Sequence, residues 1–256
     1  MKSFENKVVM VTGASRGIGQ AICEAFALEG ATVVGVARSG LNETGAKCDG
    51  ANFIPVHADL STGTQKNAAD LIEKVLKQTG RLDVLVNNAG TIRRAPAVDF
   101  SEKDWNDILG TNLSSPFFLC QAAAKWWLNG GRDKSPLDAR LKIINIASLL
   151  SFQGGILVPA YTASKHGVAG ITKALANEWA KERINVNAIA PGYIATENTQ
   201  ALRDDPVRAK SILERIPEAC WGKPEDIAGG CVFLASGASN YLNGAIINID
   251  GGWLGR

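Results

Sequence analysis

The stretch Thr12-Gly13-Ala14-Ser15-Arg16-Gly17-Ile18-Gly19 decides how this chain folds. It follows the apolar run 8–11, which predicts a buried strand, and a pattern of helical period begins inside it. The three glycines allow a tight turn and let the backbone approach a pyrophosphate, whose charge a helix N-terminus stabilises. The spacing G-x-x-x-G-x-G differs from the common G-x-G-x-x-G. Because the turn stands at the first strand-to-helix junction, we predict dinucleotide binding in preference to a plain flexible turn.

Outward from this turn, short apolar runs that suit buried strands alternate with longer stretches of helical period. Seven runs predict strands: 8–11, 32–36, 53–56, 84–86, 142–146, 184–189 and 246–249. The expected fold class is α/β, a Rossmann-like doubly wound sheet of seven parallel strands with helices on both faces. No repeat or linker divides the sequence, which predicts a single dinucleotide-binding and catalytic domain over 1–256. The segment 39–50 is too short for a full helix with its loops, so we expect an abbreviated crossover there.

Charge and cysteine usage exclude several classes of function. The chain has 27 basic and 25 acidic residues, a net charge of +2, and its basic residues form no stripe. We therefore expect no nucleic-acid partner, and no apolar run approaches the ~18 to 20 residues that span a membrane. The N-terminal residues show no apolar secretory signal. The five widely spaced cysteines predict reduced, mostly buried thiols in a cytoplasmic protein without a metal site.

The residues after the second predicted strand bear on cofactor choice. A free ribose 2′-hydroxyl usually meets an acidic residue there, whereas a 2′-phosphate favours arginine. The sequence offers Ala37, Arg38 and Ser39, and Arg38 with Arg16 could clamp a phosphate through charge-assisted bonds. We expect NAD(P) with a slight lean to NADP, unless both arginines are solvated surface residues. Asp59, after the third strand, is a candidate partner of the adenine amino group or a cap of the next helix.

Tyr161 and Lys165 are the candidate proton-transfer pair. They stand four residues apart in a segment, 161–180, that predicts a helix, so both side chains lie on one face. The Y-x-x-x-K spacing is common by chance, and its context gives it weight. Ser148 ends the fifth strand, at the carboxyl edge where open α/β sheets bind ligands, and the segment 87–90 ends the fourth strand at the same edge.

The chemistry explains this choice of residue types. A phenol with a pKa near ~10 is a poor base at neutral pH, but an adjacent ammonium and a cationic nicotinamide favour its phenolate. Tyr161 could then exchange a proton with an alcohol, while Ser148 bonds the substrate oxygen. Asn112 could hold a water that passes the proton onward past Lys165. The plain alternatives are a core tyrosine, a surface lysine, a serine cap and a turn asparagine.

Taken in order, these residues resemble the short-chain dehydrogenase/reductase family over essentially the whole chain. The matches are the T-G-x-x-x-G-x-G turn, Asp59, 87–90, Asn112, Ser148, Tyr161, Lys165, Pro191-Gly192, Ile194 and Thr196. The resemblance implies catalysis by Asn112, Ser148, Tyr161 and Lys165, and contact of Ile194 and Thr196 with the nicotinamide carboxamide. The implied cofactor contacts are Gly13, Ser15, Arg16, Gly17, Ile18, Gly19, Arg38, Asp59, Leu60, Asn88, Ala89, Gly90, Tyr161, Lys165, Pro191, Gly192, Ile194 and Thr196.

A homotetramer is the assembly that the resemblance implies. Its interfaces would be built from the helices that carry Asn112 and Tyr161 and from the last strand. Three tryptophans on helical stretches suit either apolar interface positions or core packing: Trp126, Trp127 and Trp179.

A closer likeness is to the 2-dehydro-3-deoxy-D-gluconate 5-dehydrogenase group of this family, also called the 2-deoxy-D-gluconate 3-dehydrogenase group. The segments that carry it are 91–94, 100–105, 151–155, 177–180, 193–200 and 250–254. The likeness implies reversible oxidation of a secondary alcohol on a deoxy sugar acid, in uronate breakdown. Members of the group are generally associated with NAD. Arg38, after the second strand, favours NADP instead.

A sugar acid also predicts its own contacts. Its carboxylate suits a bidentate guanidinium, and Arg93 or Arg94, just after the fourth strand, is the candidate anchor unless both are solvated surface residues. Gln153, and Asn198 or Gln200, are candidates for bonding sugar hydroxyls. Ser148 and Tyr161 would contact the reacting oxygen.

Two other functions stay open at this point. A 3-oxoacyl-carrier-protein reductase shares the whole catalytic apparatus, but it would need a basic surface for an acidic carrier. A dinucleotide-sensing scaffold without catalysis is the alternative of another class, and an incomplete catalytic set would favour it. The sequence contains the complete set.

Overall fold

The computed structural model describes residues 3–48, 52–134 and 139–256, and they form a three-layer α/β fold. One sheet contains seven parallel strands in the order β3-β2-β1-β4-β5-β6-β7. The fold class predicted from the sequence is confirmed. The strands are β1 (Val8–Thr12), β2 (Thr32–Ala37), β3 (Phe53–His57), β4 (Val84–Asn87), β5 (Leu141–Ile146), β6 (Ile184–Pro191) and β7 (Ile246–Ile249).

Nine α-helices connect and cover the strands in the described part of the chain. They are α1 (Gly17–Leu28), α2 (Leu41–Lys47), α3 (Gln65–Thr79), α4 (Glu102–Leu109), α5 (Ser115–Trp126), α6 (Pro159–Trp179), α7 (Glu197–Arg203), α8 (Pro206–Leu213) and α9 (Pro224–Ala235). The abbreviated crossover is the seven-residue α2, and residues 49–51 of that segment lie outside the described residues. None of the described helices combines the length and apolar character of a bilayer span.

The sheet is buried on both faces, which explains the continuous apolar runs. On one face α1 and α9 pack together and cover β1, β5 and β6 with Ile22, Phe26 and Leu234. On the other face α3, α5 and α6 contribute a second core that includes Leu71 and Leu119. Strands β1 and β2 are parallel and paired from Val8 opposite Thr32 onward, so both end at the same edge of the sheet. That edge is where the site residues collect.

The tryptophans separate into core and half-buried positions. Trp127 is fully buried, and its indole nitrogen donates to the carbonyl oxygen of Glu182 at 3.0 Å. Core packing therefore explains Trp127, and the interface interpretation is wrong for it. Trp126 and Trp179 are half-buried and pack against the same core. Cys220 is the exposed thiol, whereas the other four cysteines are buried.

Candidate active site

The glycine turn, residues 12–19, is held in a shape that only glycine permits at three positions. Gly13 and Gly17 have φ angles of +67° and +55°, which side chains rarely adopt. A Cβ on Gly19 would lie 2.1 Å from the carbonyl oxygen of Gly13. The turn is therefore compact, and its backbone is exposed to a ligand at close range.

Thr12 and Asn88 clamp this turn onto the neighbouring strand. The Thr12 hydroxyl accepts from the backbone nitrogens of Asn88 and Ala89, both at 3.0 Å. The Asn88 amide donates in return to the carbonyl oxygens of Thr12 at 2.9 Å and Gly13 at 3.2 Å. Asn88 thus supports the turn through its side chain. Thr12 was not among the predicted site residues, although its place directly before the first glycine was a visible signal.

The start of α1 fits the pyrophosphate of a dinucleotide. Helix α1 has no acidic residue in its first turn, and no side chain caps it at Arg16. Its first backbone N–H groups are consequently available to an anion, which the helix dipole also favours. Ile18 faces the first core, and Ser15 lies close to Gly40, where a Cβ would come within 3.5 Å of the serine Cβ.

Arg16 and Arg38 are not brought together by any contact in the described residues. Arg16 is largely exposed and pairs with Glu197 on α7 at 2.8 Å. Arg38 is exposed just after β2, and its charge helps to lower the pKa of Asp59. The joint clamp of a cofactor phosphate by the two arginines stays a prediction, and in this conformation Arg16 is paired with α7.

Asp59 forms a local turn and does not cap a helix. Its carboxylate accepts from the backbone nitrogen of Ser61 at 2.9 Å. That bond, helped by Arg38, holds the pKa of Asp59 below its usual value. Thr64 caps α3 instead, by accepting from the backbone nitrogen of Asn67. Leu60 is buried in the second core.

Ser148, Tyr161 and Lys165 converge at the carboxyl end of β5. Ser148 follows the strand and starts a single 3₁₀ turn, where its hydroxyl accepts from the backbone nitrogen of Leu150 at 3.2 Å. Tyr161 lies in the first turn of α6 and is hydrogen bonded to Ser148. The Lys165 ammonium lies 5.6 Å from the Tyr161 ring centre and donates to the carbonyl oxygen of Ile146 at 2.6 Å.

Burial controls the titration of this group. It raises the pKa of Tyr161, while the hydrogen bond from Ser148 and the charge of Arg94 act in the opposite direction. Burial also lowers the pKa of Lys165 to about 8. The direction for Tyr161 is opposite to the acidification that we predicted from Lys165. The physical reason is that the same desolvation penalises both the phenolate and the ammonium.

Asn112 positions the catalytic helix. It lies in a π-helical turn, Gly110–Ser114, and its amide exchanges two bonds with the backbone of Thr91, at 2.8 and 2.9 Å. The amide also donates to Ser164 at 3.3 Å, and Ser164 donates to the carbonyl oxygen of Tyr161 at 2.7 Å. Both amide hydrogens are therefore committed, and a water could meet this side chain only at its oxygen. Gly90 lies against the same amide.

The segment after β6 covers the glycine turn. Gly192 donates to Ile249 at 2.8 Å, and a Cβ on it would collide with Asp250 at 2.6 Å, so Pro191 and Gly192 turn tightly at the sheet edge. Ile194 is buried beside β6, and Thr196 starts α7 next to Gly17. These contacts place Thr196 beside the glycine turn and Ile194 in the first core.

The two candidate anchors of the substrate carboxylate differ in their surroundings. Arg93 is turned outward, since it donates to Thr91 and to the carbonyl oxygen of Ile92 and lies 3.8 Å from the Asp104 carboxylate. Arg94 is exposed and near enough to Tyr161 to lower its pKa. Of the two, Arg94 is the one whose charge acts on Tyr161.

The three polar residues that are candidates for bonding sugar hydroxyls differ in exposure and in hydrogen bonding. Gln153 is half-buried and its amide oxygen accepts from the indole nitrogen of Trp253 at 3.3 Å. Asn198 is exposed on α7. Gln200 bonds Asp204 at 2.6 Å and also Arg203, so its side chain is occupied within its own helix.

Beneath the site lies a buried polar chain that sequence reasoning missed. Asn87 donates to Asn145 at 2.9 Å and Asn145 donates to Thr172 at 3.0 Å, so β4, β5 and α6 are tied together. Each of these side chains stands in an otherwise apolar stretch, and a polar residue inside a predicted buried strand was the available signal. The network fixes the relative position of the strand ends that carry the site.

Comparison with known proteins agrees with this geometry. The profile of the short chain dehydrogenase family matches residues 7–207. The chain belongs to the short-chain dehydrogenase family. Among curated family members, 2-dehydro-3-deoxy-D-gluconate 5-dehydrogenase of Escherichia coli (strain K12) is 51% identical over 259 residues, covering 99% of this chain and 98% of that protein. The enzyme of the same name from Dickeya dadantii is 50% identical over 256 residues, with 99% and 98% coverage.

A solved family structure gives the same picture. A candidate 2-deoxy-D-gluconate 3-dehydrogenase from Agrobacterium tumefaciens, solved with bound NADP, is 51% identical and superposes with a TM-score of 0.90. The match covers 99% of this chain and 98% of that one.

Proposed function

We propose that the chain is an NAD(P)-dependent dehydrogenase that transfers a hydride between nicotinamide and a secondary alcohol or ketone of a deoxy sugar acid, of the 2-dehydro-3-deoxy-D-gluconate class. The observation that carries the proposal is the grouping of Tyr161, Ser148 and Lys165 at the edge of β5, beside the glycine turn. Identity of about half the residues over the whole length of two sugar-acid dehydrogenases supports the substrate class.

The reaction needs one proton and one hydride to leave the alcohol. In the oxidation direction Tyr161, as phenolate, accepts the hydroxyl proton while Ser148 donates a bond to the same oxygen. A nicotinamide held next to this group would supply the hydride acceptor, and its positive charge would favour the phenolate against the effect of burial. Lys165 holds positive charge next to the phenol. Asn112 keeps α6 in position through its bond to Ser164.

The residues of the glycine turn would hold the pyrophosphate, and Asn88 to Gly90, Ile194 and Thr196 would line the rest of the cofactor. Arg38, exposed and without an acidic residue at its neighbours Ala37 and Ser39, favours NADP. Arg94 would bind the substrate carboxylate, with Gln153 and Asn198 as partners of its hydroxyls. Arg93 is a weaker candidate because it is already paired with Asp104.

The assembly and location belong to the same proposal. We infer a cytoplasmic homotetramer whose single domain, 1–256, binds cofactor and substrate. Strand β7 forms one edge of the sheet, and Phe233 and Tyr241 are exposed, which suits an interface on that side.

One panel of substrates tests the function. Purified protein is offered NADP⁺ or NAD⁺ with 2-dehydro-3-deoxy-D-gluconate, and the reduced cofactors with keto sugar acids and an acetoacetyl thioester, and nicotinamide absorbance is followed. We expect turnover of the sugar acids. Turnover of the thioester alone would instead identify an acyl-carrier reductase. Cofactor binding without turnover of any substrate would identify a sensing scaffold.

A further inference from the structure

Gln153 and Trp253 lie at opposite ends of the catalytic half of the chain, yet they are hydrogen bonded at 3.3 Å. An indole nitrogen can only donate, so the amide atom that it meets must be the carbonyl oxygen of Gln153. The orientation of this amide is therefore set by chemistry. In the part of the chain that the structure describes, no acceptor lies within hydrogen-bond distance of the amide nitrogen of Gln153. Its two hydrogens are left for a ligand.

A local turn joins Gln153 to Ser148 of the catalytic group. Residues Leu149–Ser151 form one 3₁₀ turn directly after Ser148. The backbone nitrogen of Gln153 then donates to the carbonyl oxygen of Leu149 at 3.2 Å, which closes the turn. The side chain of Gln153 is half-buried and starts five residues beyond the hydroxyl that bonds Tyr161.

Trp253 is rigid enough to act as a fixed donor. Its side chain is only 6% exposed and packs in a cluster with Leu149. The Tyr193 ring lies against it with centroids 4.8 Å apart, and the Arg215 guanidinium lies 4.1 Å from the ring centre. A ring held by an aromatic neighbour and a stacked guanidinium keeps one orientation.

The backbone of Trp253 is fixed as well. Asp250, directly after β7, accepts from the backbone nitrogens of Gly252 at 2.9 Å and Leu254 at 3.0 Å. Strand β7 thereby determines where the indole nitrogen lies. The side chain of Trp253 connects the last residues of the chain to the turn that follows Ser148.

We infer that Trp253 is a positioning residue, whose indole N–H holds the amide oxygen of Gln153 so that the amide hydrogens face a hydroxyl of the bound sugar acid. The inference rests on the proposed function, because it needs a substrate with a hydroxyl to accept the bond. It assigns to the C-terminal segment a part in substrate choice and none in cofactor binding.

Trp253→Phe tests the inference, because it removes the indole donor and keeps an aromatic ring. We expect the KM for 2-dehydro-3-deoxy-D-gluconate to rise about tenfold, the usual weight of one well-placed hydrogen bond, while kcat and the KM for NADP⁺ stay within about twofold. Gln153→Met should give the same rise, and the double variant should add nothing further. Trp221→Phe is the matched control. Trp221 also packs on Tyr193 and no described acceptor meets its indole nitrogen, so the KM should not change.

Gln153→Glu keeps an acceptor for Trp253 but has no amide hydrogens, so it is the second variant if Trp253→Phe does not fold. Its KM for the sugar acid should also rise, while the indole N–H resonance of Trp253 in an ¹⁵N spectrum keeps its hydrogen-bonded shift. An unchanged KM in Trp253→Phe or Gln153→Glu, or an additive double variant, overturns the inference alone. A wild-type protein that turns over no sugar acid overturns the proposed function, and the inference with it.

Discussion

The glycine turn and the substrate side of the site are neighbouring regions. Different kinds of interaction fix their structures. Around the turn, the positive φ angles of Gly13 and Gly17 set the backbone shape, and bonds between Thr12 and Asn88 on the neighbouring strand hold it. On the substrate side, Arg94 and Asn198 are exposed, and Gln153 depends on a partner one hundred residues away. The cofactor side therefore depends on glycine backbone geometry that the sheet holds in place, whereas the substrate side depends on the positions of individual side chains.

The largest expected effect lies where the two sides meet. Tyr161→Phe removes the proton-transferring hydroxyl, and kcat should fall about 10³-fold. The dissociation constant for NADPH, measured by fluorescence titration, should change less than about threefold, because the glycine turn does not depend on the phenol. Tyr241→Phe is the control, since Tyr241 is fully exposed and should leave kcat unchanged. Full turnover by Tyr161→Phe would remove the phenol from the mechanism.

Gly19→Ala attacks the cofactor side alone. The added Cβ would lie 2.1 Å from Gly13, so the turn must open, and NADPH should bind about 10²-fold more weakly. Calorimetric titration measures the change. The matched control is Gly170→Ala in α6, where a Cβ would meet no atom within 4 Å and binding should be unchanged. Equal weakening in both variants would show that the effect is not local to the turn.

Substitution of the two arginines sharpens the comparison on the substrate side. Arg94→Ala should raise the KM for the sugar acid about tenfold, because the lost charge-assisted bond has no substitute. Arg93→Ala should leave that KM within about twofold, since its guanidinium is paired with Asp104. Steady-state kinetics at saturating NADP⁺ decide between them. The reverse order would identify Arg93 as the anchor.

The smallest effect concerns cofactor choice. Arg38→Ala should lower the ratio of kcat/KM for NADP⁺ to that for NAD⁺ about fivefold, as expected for an exposed charge contact. Lys47→Ala on α2 is a control of like charge, because its ammonium is bonded to Gln20 at 2.9 Å. A ratio that is the same in wild type and Arg38→Ala would leave the preference to some other residue.

The sequence was most informative where a feature of the fold depends only on residues that are close together in the chain. The apolar runs located all seven strands, and the observed strands differ mainly by polar residues at their ends, such as Thr12 and Asn87. Ser101 caps α4 by accepting from the backbone nitrogen of Asp104, three residues on, at 3.0 Å. Such features depend on neighbours in sequence, so a pattern is enough to find them.

Sequence patterns did not predict which way a side chain points or which residue it contacts. The pKa of Tyr161 shifts upward because burial outweighs the nearby charges, and burial is a result of packing. Arg16 is paired with Glu197 because α7 lies alongside the glycine turn. Neither outcome follows from spacing, since each depends on which distant segment lies alongside.

By itself, the sequence determined the α/β fold, the order of strand and helix, and the composition of the turn between β1 and α1, because periodicity and glycine positions act within a few residues. Only the tertiary structure decided that the charge of Arg94 acts on Tyr161, that Asn112 bonds Ser164, and that Trp253 meets Gln153. Those contacts arise when parallel strands end at a common edge. The chain segments that follow them then meet without regard to their distance in sequence.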